Sequence, residues 1–342
     1  MKIIIDAMGG DNAPLEIVKG ALQGKERFGV DIVLTGDTTA ILKALEECGE
    51  KTLPRGVEIA HADEVVEMCD DPATVFRRKK NSSMALGLNM VREGKGDAFI
   101  SAGSTGALLT GATLIVKRVR GIRRAAMGPA FPNKTGGKTV ILDCGANAEC
   151  TPEFLLQFGL VGSLFAKKSL GIENPKVGLL NIGTEDSKGT PLQKEAYGML
   201  QKAHDRGLIN FVGNVESRDV PLGAVDVVVC DGFSGNVLLK GIEGTAMFMG
   251  SLMSKMFKKN LLSKIAALLV MKDIKAFKKM LDYREIGGTQ FLGIKKPVIK
   301  AHGASDALAF RNAVRQAEEA AKADFSTELE AQLAKMKESS DD

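Results

Sequence analysis

Short runs of Val, Ile and Leu recur along the chain, each followed by a glycine-bearing loop and then by apolar residues at helical spacing. Lys2 to Ile5 read as a buried strand, and Pro14 with the LEIVKGALQ behind it reads as a helix carrying proline in its first turn. The strand-to-loop junctions are, in order, IIIDAMGGDNAP, IVLTGDT, AFISAGSTGA, VILDCGANAE, GLLNIGTEDSKG, VVVCDGFSGN and VIKAHGASDA. This rhythm predicts an α/β fold of repeated βα units on a largely parallel sheet. If one sheet carries all the junctions, their loops emerge together at its carboxyl edge, where doubly wound folds bind ligands.

One segment breaks the rhythm. Residues 253–281 contain no strand signal and no proline, and predict an amphipathic basic helical hairpin within a single domain spanning 1–342. Met253, Met256, Phe257, Leu261, Leu262, Ile265, Leu268 and Leu269 fall on one helical stripe, and Ile274, Phe277, Met280 and Leu281 form a second. Eight lysines, among them Lys258, Lys259 and Lys264, accompany a single aspartate here. Such a pattern fits the interface of an anionic membrane, with Leu261, Leu262, Ile265, Leu268 and Leu269 dipping into the acyl region and the lysines near phosphate headgroups. A dimer contact, an acidic protein partner and a plain solvated face are the competing readings. The tail at 335–342 is expected to be disordered.

Composition narrows the function. Hydrophobic residues make up 44% and charged residues 26%, as in an ordinary folded protein, and no apolar run is long enough to cross a bilayer. A net charge of +4, two tyrosines and no tryptophan argue against nucleic acid as a partner. Five scattered cysteines, at 48, 69, 144, 150 and 230, and the lack of an apolar leader suggest a reducing cytoplasm. Three histidines with no His/Cys cluster make a zinc site unexpected, so neither metal nor cofactor is expected.

The junction loops are dense in Gly, Ser, Thr, Asn and Asp and poor in aromatic residues, which suits a small, polar, phosphate-bearing ligand. Gly9 and Gly10, between a strand and a helix start, allow close backbone approach to an anion, although a plain tight turn accounts for them equally well. The spacing is not G-x-G-x-x-G, so a dinucleotide fingerprint is absent. Ser104 and Thr105 precede a helix and read first as N-caps. Asn147 stands beside Gly145, while Asn181, Gly183, Thr184 and Lys188 share one loop, and Lys188 is the lysine placed within such a loop. A lysine there is usually just solvated. His302 follows the last strand signal, with Ser305 poised to cap the next helix. No G-x-S-x-G elbow is present.

Taken in order, IDAMGGDNAP, SAGSTGA, NIGTEDSKG, CDGFSGNVLLK and IKAHGASDALAF resemble the bacterial phosphate acyltransferases of phospholipid synthesis over nearly the whole chain. The resemblance implies a three-layer α/β/α sandwich of the isocitrate dehydrogenase and phosphate acetyltransferase type with a protruding hairpin. It implies transfer of a long acyl chain from acyl carrier protein to inorganic phosphate, giving acyl phosphate for the membrane glycerol-3-phosphate acyltransferase. It further implies a cytoplasmic homodimer resting peripherally on the inner face of the cell membrane. The family's motifs fall on Asp6, Gly9, Gly10 and Asp11, on Gly103 to Gly106, on Lys188 as the catalytic lysine, on Gly235 and Asn236, and on His302, Gly303 and Ser305. Two positions depart from that pattern: Asn12 stands where some relatives carry histidine, and Ala304 where serine is common. Two other classes compete: a nucleotide-dependent dehydrogenase, which would need a cofactor fingerprint, and a non-catalytic membrane adaptor, which would leave the loop chemistry without purpose.

Overall fold

The structure is a computed structural model and describes residues 1–338. Twelve strands occur among these residues, in chain order β1 (Lys2–Asp6), β2 (Asp31–Gly36), β3 (Val57–His61), β4 (Ala98–Ser101), β5 (Ala126–Met127), β6 (Ala130–Pro132), β7 (Lys138–Leu142), β8 (Lys176–Asn181), β9 (Asn210–Glu216), β10 (Val227–Val229), β11 (Gly288–Leu292) and β12 (Val298–Ala301). All seven predicted strand junctions are present. They do not lie on one sheet, however: a seven-stranded sheet runs β3-β2-β1-β4-β12-β11-β5, and a five-stranded sheet runs β6-β7-β10-β8-β9. The expected single carboxyl edge is therefore two.

The division has a local cause. β5 pairs antiparallel with β11 in the first sheet, and β6 pairs antiparallel with β7 in the second, so the chain changes sheets at Gly128-Pro129. Proline has no N–H to continue a ladder, which ends one strand and begins another. Across this joint Met127 accepts from the Cys144 N–H at 3.0 Å, and Pro129 from the Ile141 N–H at 3.2 Å.

Helices cover both faces of each sheet. Along β1, Ile3 and Ile5 pack with the helices Leu15–Phe28 and Ala307–Ala323, while Ile4 points to the opposite face, toward Ser83–Arg92. Likewise Val227 and Val229 face the helix Pro152–Leu170, whereas Val228 packs toward Leu238 and Ile242 of the helix Gly232–Lys258. This alternation is the period-two signature of strands buried on both sides. The layers are those of an α/β/α sandwich, present twice.

The hairpin is longer than 253–281. Its first arm is the helix Gly232–Lys258; a short helix Leu261–Leu269 forms the tip, and Met271–Leu281 returns. The first of the two stripes expected from the sequence divides. Met253 and Phe257 turn inward with Ile274 and Phe277 around a small apolar space between the arms. Leu261, Leu262, Ile265, Leu268 and Leu269 are exposed, Leu269 at 83% and Leu262 at 78%, with Lys258, Lys259 and Lys264 beside them. The side chains of Met280 and Leu281 lie outside what the structure describes. No helix among the described residues is long and apolar enough to cross a membrane. Of the tail expected to be disordered, Lys335 to Glu338 end the helix Ser326–Glu338, and residues 339–342 lie outside the described residues.

The helix Ala307–Ala323 returns to the N-terminal helix Leu15–Phe28 through Gly20 and Gly24. A Cβ on Gly20 would stand 2.7 Å from the Ala307 carbonyl oxygen and 3.1 Å from the Arg311 nitrogen, both backbone. Gly20→Ala is expected to lower stability by about 1–3 kcal/mol, because these atoms cannot step aside. Gly198→Ala, in a helix where an added Cβ meets nothing within 4 Å, should instead gain up to about 1 kcal/mol. Urea unfolding of the two variants beside the parent checks both signs.

Candidate functional site

The first sheet ends in a loop cluster organised by Asp6, the last residue of β1. Its carboxylate is buried and accepts from the Ser83 and Ser101 hydroxyls, each at 2.7 Å, and from the Met8 N–H at 3.3 Å. Burial pushes its pKa up, and the bonds from Ser101 and Ser83 oppose that rise. Gly9 is packed so closely that an added Cβ would lie 2.7 Å from Asp6 Oδ2 and 2.8 Å from the Gly103 nitrogen. Gly10 adopts φ +105°, a left-handed conformation that favours glycine, and this lets the Asp11 N–H reach the Gly303 carbonyl at 2.8 Å. The opening loop thus docks onto the loops that follow β4 and β12. The two departures from the family pattern meet here, as Asn12 Nδ2 donates to the Ala304 and Ser305 carbonyls at 3.3 Å.

Lys300 and His302 stand at the end of β12. The ammonium of Lys300 donates to the Ala102 carbonyl at 3.3 Å and also to that of Ala301. Burial drives its pKa down to about 8 despite the nearby Asp11 carboxylate. His302 Nδ1 accepts from the Ala304 N–H at 3.2 Å, so its neutral ring carries the proton on Nε2. Its pKa is held below the ordinary value by burial first, then by the cations of Lys300 and Lys240, against the pull of Glu243 and Asp11.

The second sheet repeats the plan with Asp143, just past β7. Its buried carboxylate accepts from the N–H groups of Met127 (2.8 Å), Ala146 (3.3 Å) and Asn147 (2.6 Å) and from Asn147 Nδ2 (3.0 Å). Burial raises this pKa too. The Asn147 carbonyl accepts from the Gly232 N–H at 2.8 Å, fixing the start of the long helix that begins there. Gly235, one turn in, is required because any Cβ would collide with the Asp143 carbonyl oxygen. The exposed Asn236 then lies against Gly145, 3.8 Å from where a Cβ would stand.

A third loop follows β8. Asn181 closes it by donating from Nδ2 to the Lys188 carbonyl at 3.1 Å, and Asn214 Nδ2 holds its middle through the Glu185 carbonyl at 2.7 Å. Gly183 leaves room for the Lys188 stem, whose Cγ is 3.2 Å from the site of a Gly183 Cβ. Lys188 and Thr184 are exposed.

The structure sorts the expected residues. Gly9, Gly10, Asp11, His302 and Gly303 come together on the first sheet, and Asn147, Gly235 and Asn236 on the second, with Asn181, Gly183, Thr184 and Lys188 in the adjoining loop. Lys240 and Glu243, on the long helix, contribute to the field at His302, Lys240 lowering its pKa and Glu243 raising it. Four expected ligand contacts are instead buried within the loops. Asp6 is surrounded by donors, Ser104 caps the helix beginning at Thr105, and Gly235 sits beneath Asp143. Ser305 donates to the His302 carbonyl at 2.6 Å. The cap of the following helix is Asp306, not Ser305, accepting from the Ala309 N–H at 2.9 Å. The sequence reading passed over Lys300, Asp143, Lys240 and Glu243. The repeated pattern IIIDAMGG and VILDCGAN was the signal for Asp143; nothing in sequence marks which lysine a fold will bury. Among the described residues no group of three His, Cys, Asp or Glu is placed to hold a metal ion.

Two mostly parallel sheets, each covered by helices, make a fold shared with solved phosphotransacylase structures. The chain is similar to the phosphotransacetylase from Streptococcus pyogenes, with a TM-score of 0.63 at 20% identity over 94% of each chain. It belongs to the family described as Fatty acid synthesis protein, whose model it matches over residues 1–328. It is 49% identical over 317 residues to a phosphate acyltransferase of Alkaliphilus oremlandii, covering 93% of this chain and 92% of the other. With a phosphate acyltransferase of Thermoanaerobacterium thermosaccharolyticum it shares 44% identity over 333 residues, 97% of each.

Lys300 gives the first sheet's edge a testable charge. With its folded pKa near 8 and an ordinary value of about 10.4 unfolded, the unfolded chain binds more protons between those limits, so stability rises with pH across that window. Against Lys300→Met, the parent should gain about 1–3 kcal/mol on going from pH 8 to pH 10. Parallel denaturant titrations at both pH values measure the difference.

Proposed function

We propose that the protein transfers a long-chain acyl group from the thioester of acyl carrier protein to inorganic phosphate, forming acyl phosphate for phospholipid synthesis. The observation that carries this reading is the likeness to phosphate acyltransferases over nearly the whole chain, at 44% and 49% identity. Family membership and the glycine-rich turn that docks the opening loop onto the loop of His302 support it.

Phosphate needs no enzyme nucleophile, because it is already an anion near neutral pH. One of its oxygens attacks the thioester carbonyl carbon, the carbonyl oxygen takes up negative charge, and the carbon–sulfur bond breaks to release the pantetheine thiolate. The protein supplies position and charge. Lys188, with N–H groups around Gly183 and Thr184, neutralises phosphate and the oxyanion, while the Gly9–Gly10 loop and Thr105 contact remaining phosphate oxygens or the pantetheine end. His302, whose neutral ring carries its proton on Nε2, donates a hydrogen bond from there to the departing sulfur, which leaves as thiolate and takes its proton from solvent.

The protein works as a cytoplasmic homodimer at the inner face of the cell membrane, passing its product to the membrane glycerol-3-phosphate acyltransferase. Exposed Leu261, Leu262, Leu268 and Leu269 at the hairpin tip, flanked by lysines, support the membrane contact. Exposed Met247 and Phe248 on the long helix support an association of copies.

Incubation with long-chain acyl carrier protein and phosphate should release carrier thiol in step with phosphate concentration; no release from folded protein would overturn the reading. Lys188→Ala should lose about a hundredfold to a thousandfold in turnover, and near-normal turnover would remove Lys188 from the mechanism. In flotation assays the protein should bind vesicles containing anionic lipid, more weakly as salt rises. The double variant Leu261→Asp, Leu262→Asp should stay in solution, and equal flotation of parent and variant would assign the hairpin another role.

A further inference from the structure

Beside the Lys188 loop lies a groove of about 1020 Å³, at the upper end of the range for small-molecule sites. Its mouth is formed by Asn181 and Gly189 of that loop and by Asp231 and Ser234 at the start of the long helix. It therefore borders, through Asn181 and Gly189, the loop that carries Lys188. The rest of the lining combines polar side chains, Thr190, Gln193, Ser217 and Arg218, with an apolar part. One wall is the helix face of Val237, Leu238 and Ile242; Leu180 of β8 and Pro221 stand across from it. Ile182, in the loop itself, is 81% exposed and adds an apolar side chain to this space.

The floor is kept open by small residues. Gly241 lines the groove about two turns beyond Ser234, with Thr245 one turn further. A Cβ built on Gly241 meets no atom within 4 Å, although glycine in a helix interior costs about 1 kcal/mol against alanine. Packing inside the protein does not require that glycine. A side chain there would project into the groove.

We propose that this groove receives the hydrocarbon chain of the acyl donor, and that Gly241 and Thr245 set how far the chain extends. The proposal rests on the acyl-transfer reading above, which supplies a thioester carbonyl at the mouth. The chain then runs along the helix axis, and its methylenes exchange water for Val237, Leu238, Ile242 and Ile182. Each methylene so buried strengthens binding about fourfold.

The test measures kcat/KM with hexadecanoyl and butanoyl thioesters of carrier protein, in the parent and in Gly241→Leu and Thr245→Leu. Gly241→Leu should lower the hexadecanoyl-to-butanoyl ratio at least fifteenfold, the loss of two buried methylenes. Thr245→Leu, farther from the mouth, should lower it less and should tolerate a longer chain. An unchanged ratio in both variants, with turnover intact, would overturn the groove while leaving acyl transfer standing. Absence of phosphate-dependent turnover in the parent with either thioester would instead overturn the function on which the groove depends. Light scattering separates the other occupant: if the variants change oligomeric state and lose activity equally on both chain lengths, the face belongs to a second copy of this chain and the proposal fails. Should Gly241→Leu not fold, Thr245→Leu alone decides, since a threonine-to-leucine change carries no glycine-specific strain.

Discussion

Each half of this protein is arranged around one buried carboxylate at the end of a central strand, Asp6 in the first sheet and Asp143 in the second. A buried carboxylate is costly unless it is surrounded by donors, so it recruits them. Asp6 gathers two serine hydroxyls from distant segments, and Asp143 gathers N–H groups from Met127, Ala146 and Asn147. The loops are polar and glycine-rich and would hold no shape through apolar packing. The carboxylates give them a shape from inside, which leaves the outward surface for a ligand. Burial raises both pKa values, the electrostatic trace of this arrangement.

Asp143 also explains how the halves stay in register. The Met127 N–H it accepts belongs to β5, which pairs with β11 of the other sheet. The joint at Gly128-Pro129 is therefore pinned within a few residues of the second loop cluster, and a shift of one sheet against the other would break bonds to a buried charge.

Much of this was legible in the sequence. Strands buried on both faces announce themselves as unbroken Val/Ile/Leu runs, and β1, β2, β4, β7, β8, β10 and β12 were all marked that way. β3, β5, β6, β9 and β11 were not, because they are edge strands or short joints whose pattern is half polar. Missing β5, β6 and β11 hid the break between sheets, since those strands carry it. The candidate loops were placed correctly, but sequence cannot distinguish a side chain facing a ligand from one facing the loop's own interior. Asp6, Ser104 and Ser305 turned out to be interior. Lys300 was hidden for the opposite reason: at the end of VIK it reads as a strand's solvated terminus, and only the packing of the Ala102 loop over it makes it a buried cation.

The long helix Gly232–Lys258 ties these features together physically. At its first turn, Asp231 caps it by accepting from the Ser234 N–H at 2.8 Å, and Gly235 presses it against Asp143. Lys240 and Glu243, two turns on, reach the field around His302. Past them the helix leaves the body, its residues alternately exposed and half-buried, and carries the apolar tip outward. One helix thus has its first turn fixed by the buried charge that shapes the second loop cluster and leads at its other end to the exposed apolar residues of Leu261–Leu269. The collision that excludes a side chain at Gly235 also keeps the first turn from sliding over Asp143, so the loop cluster fixes the helix at its base.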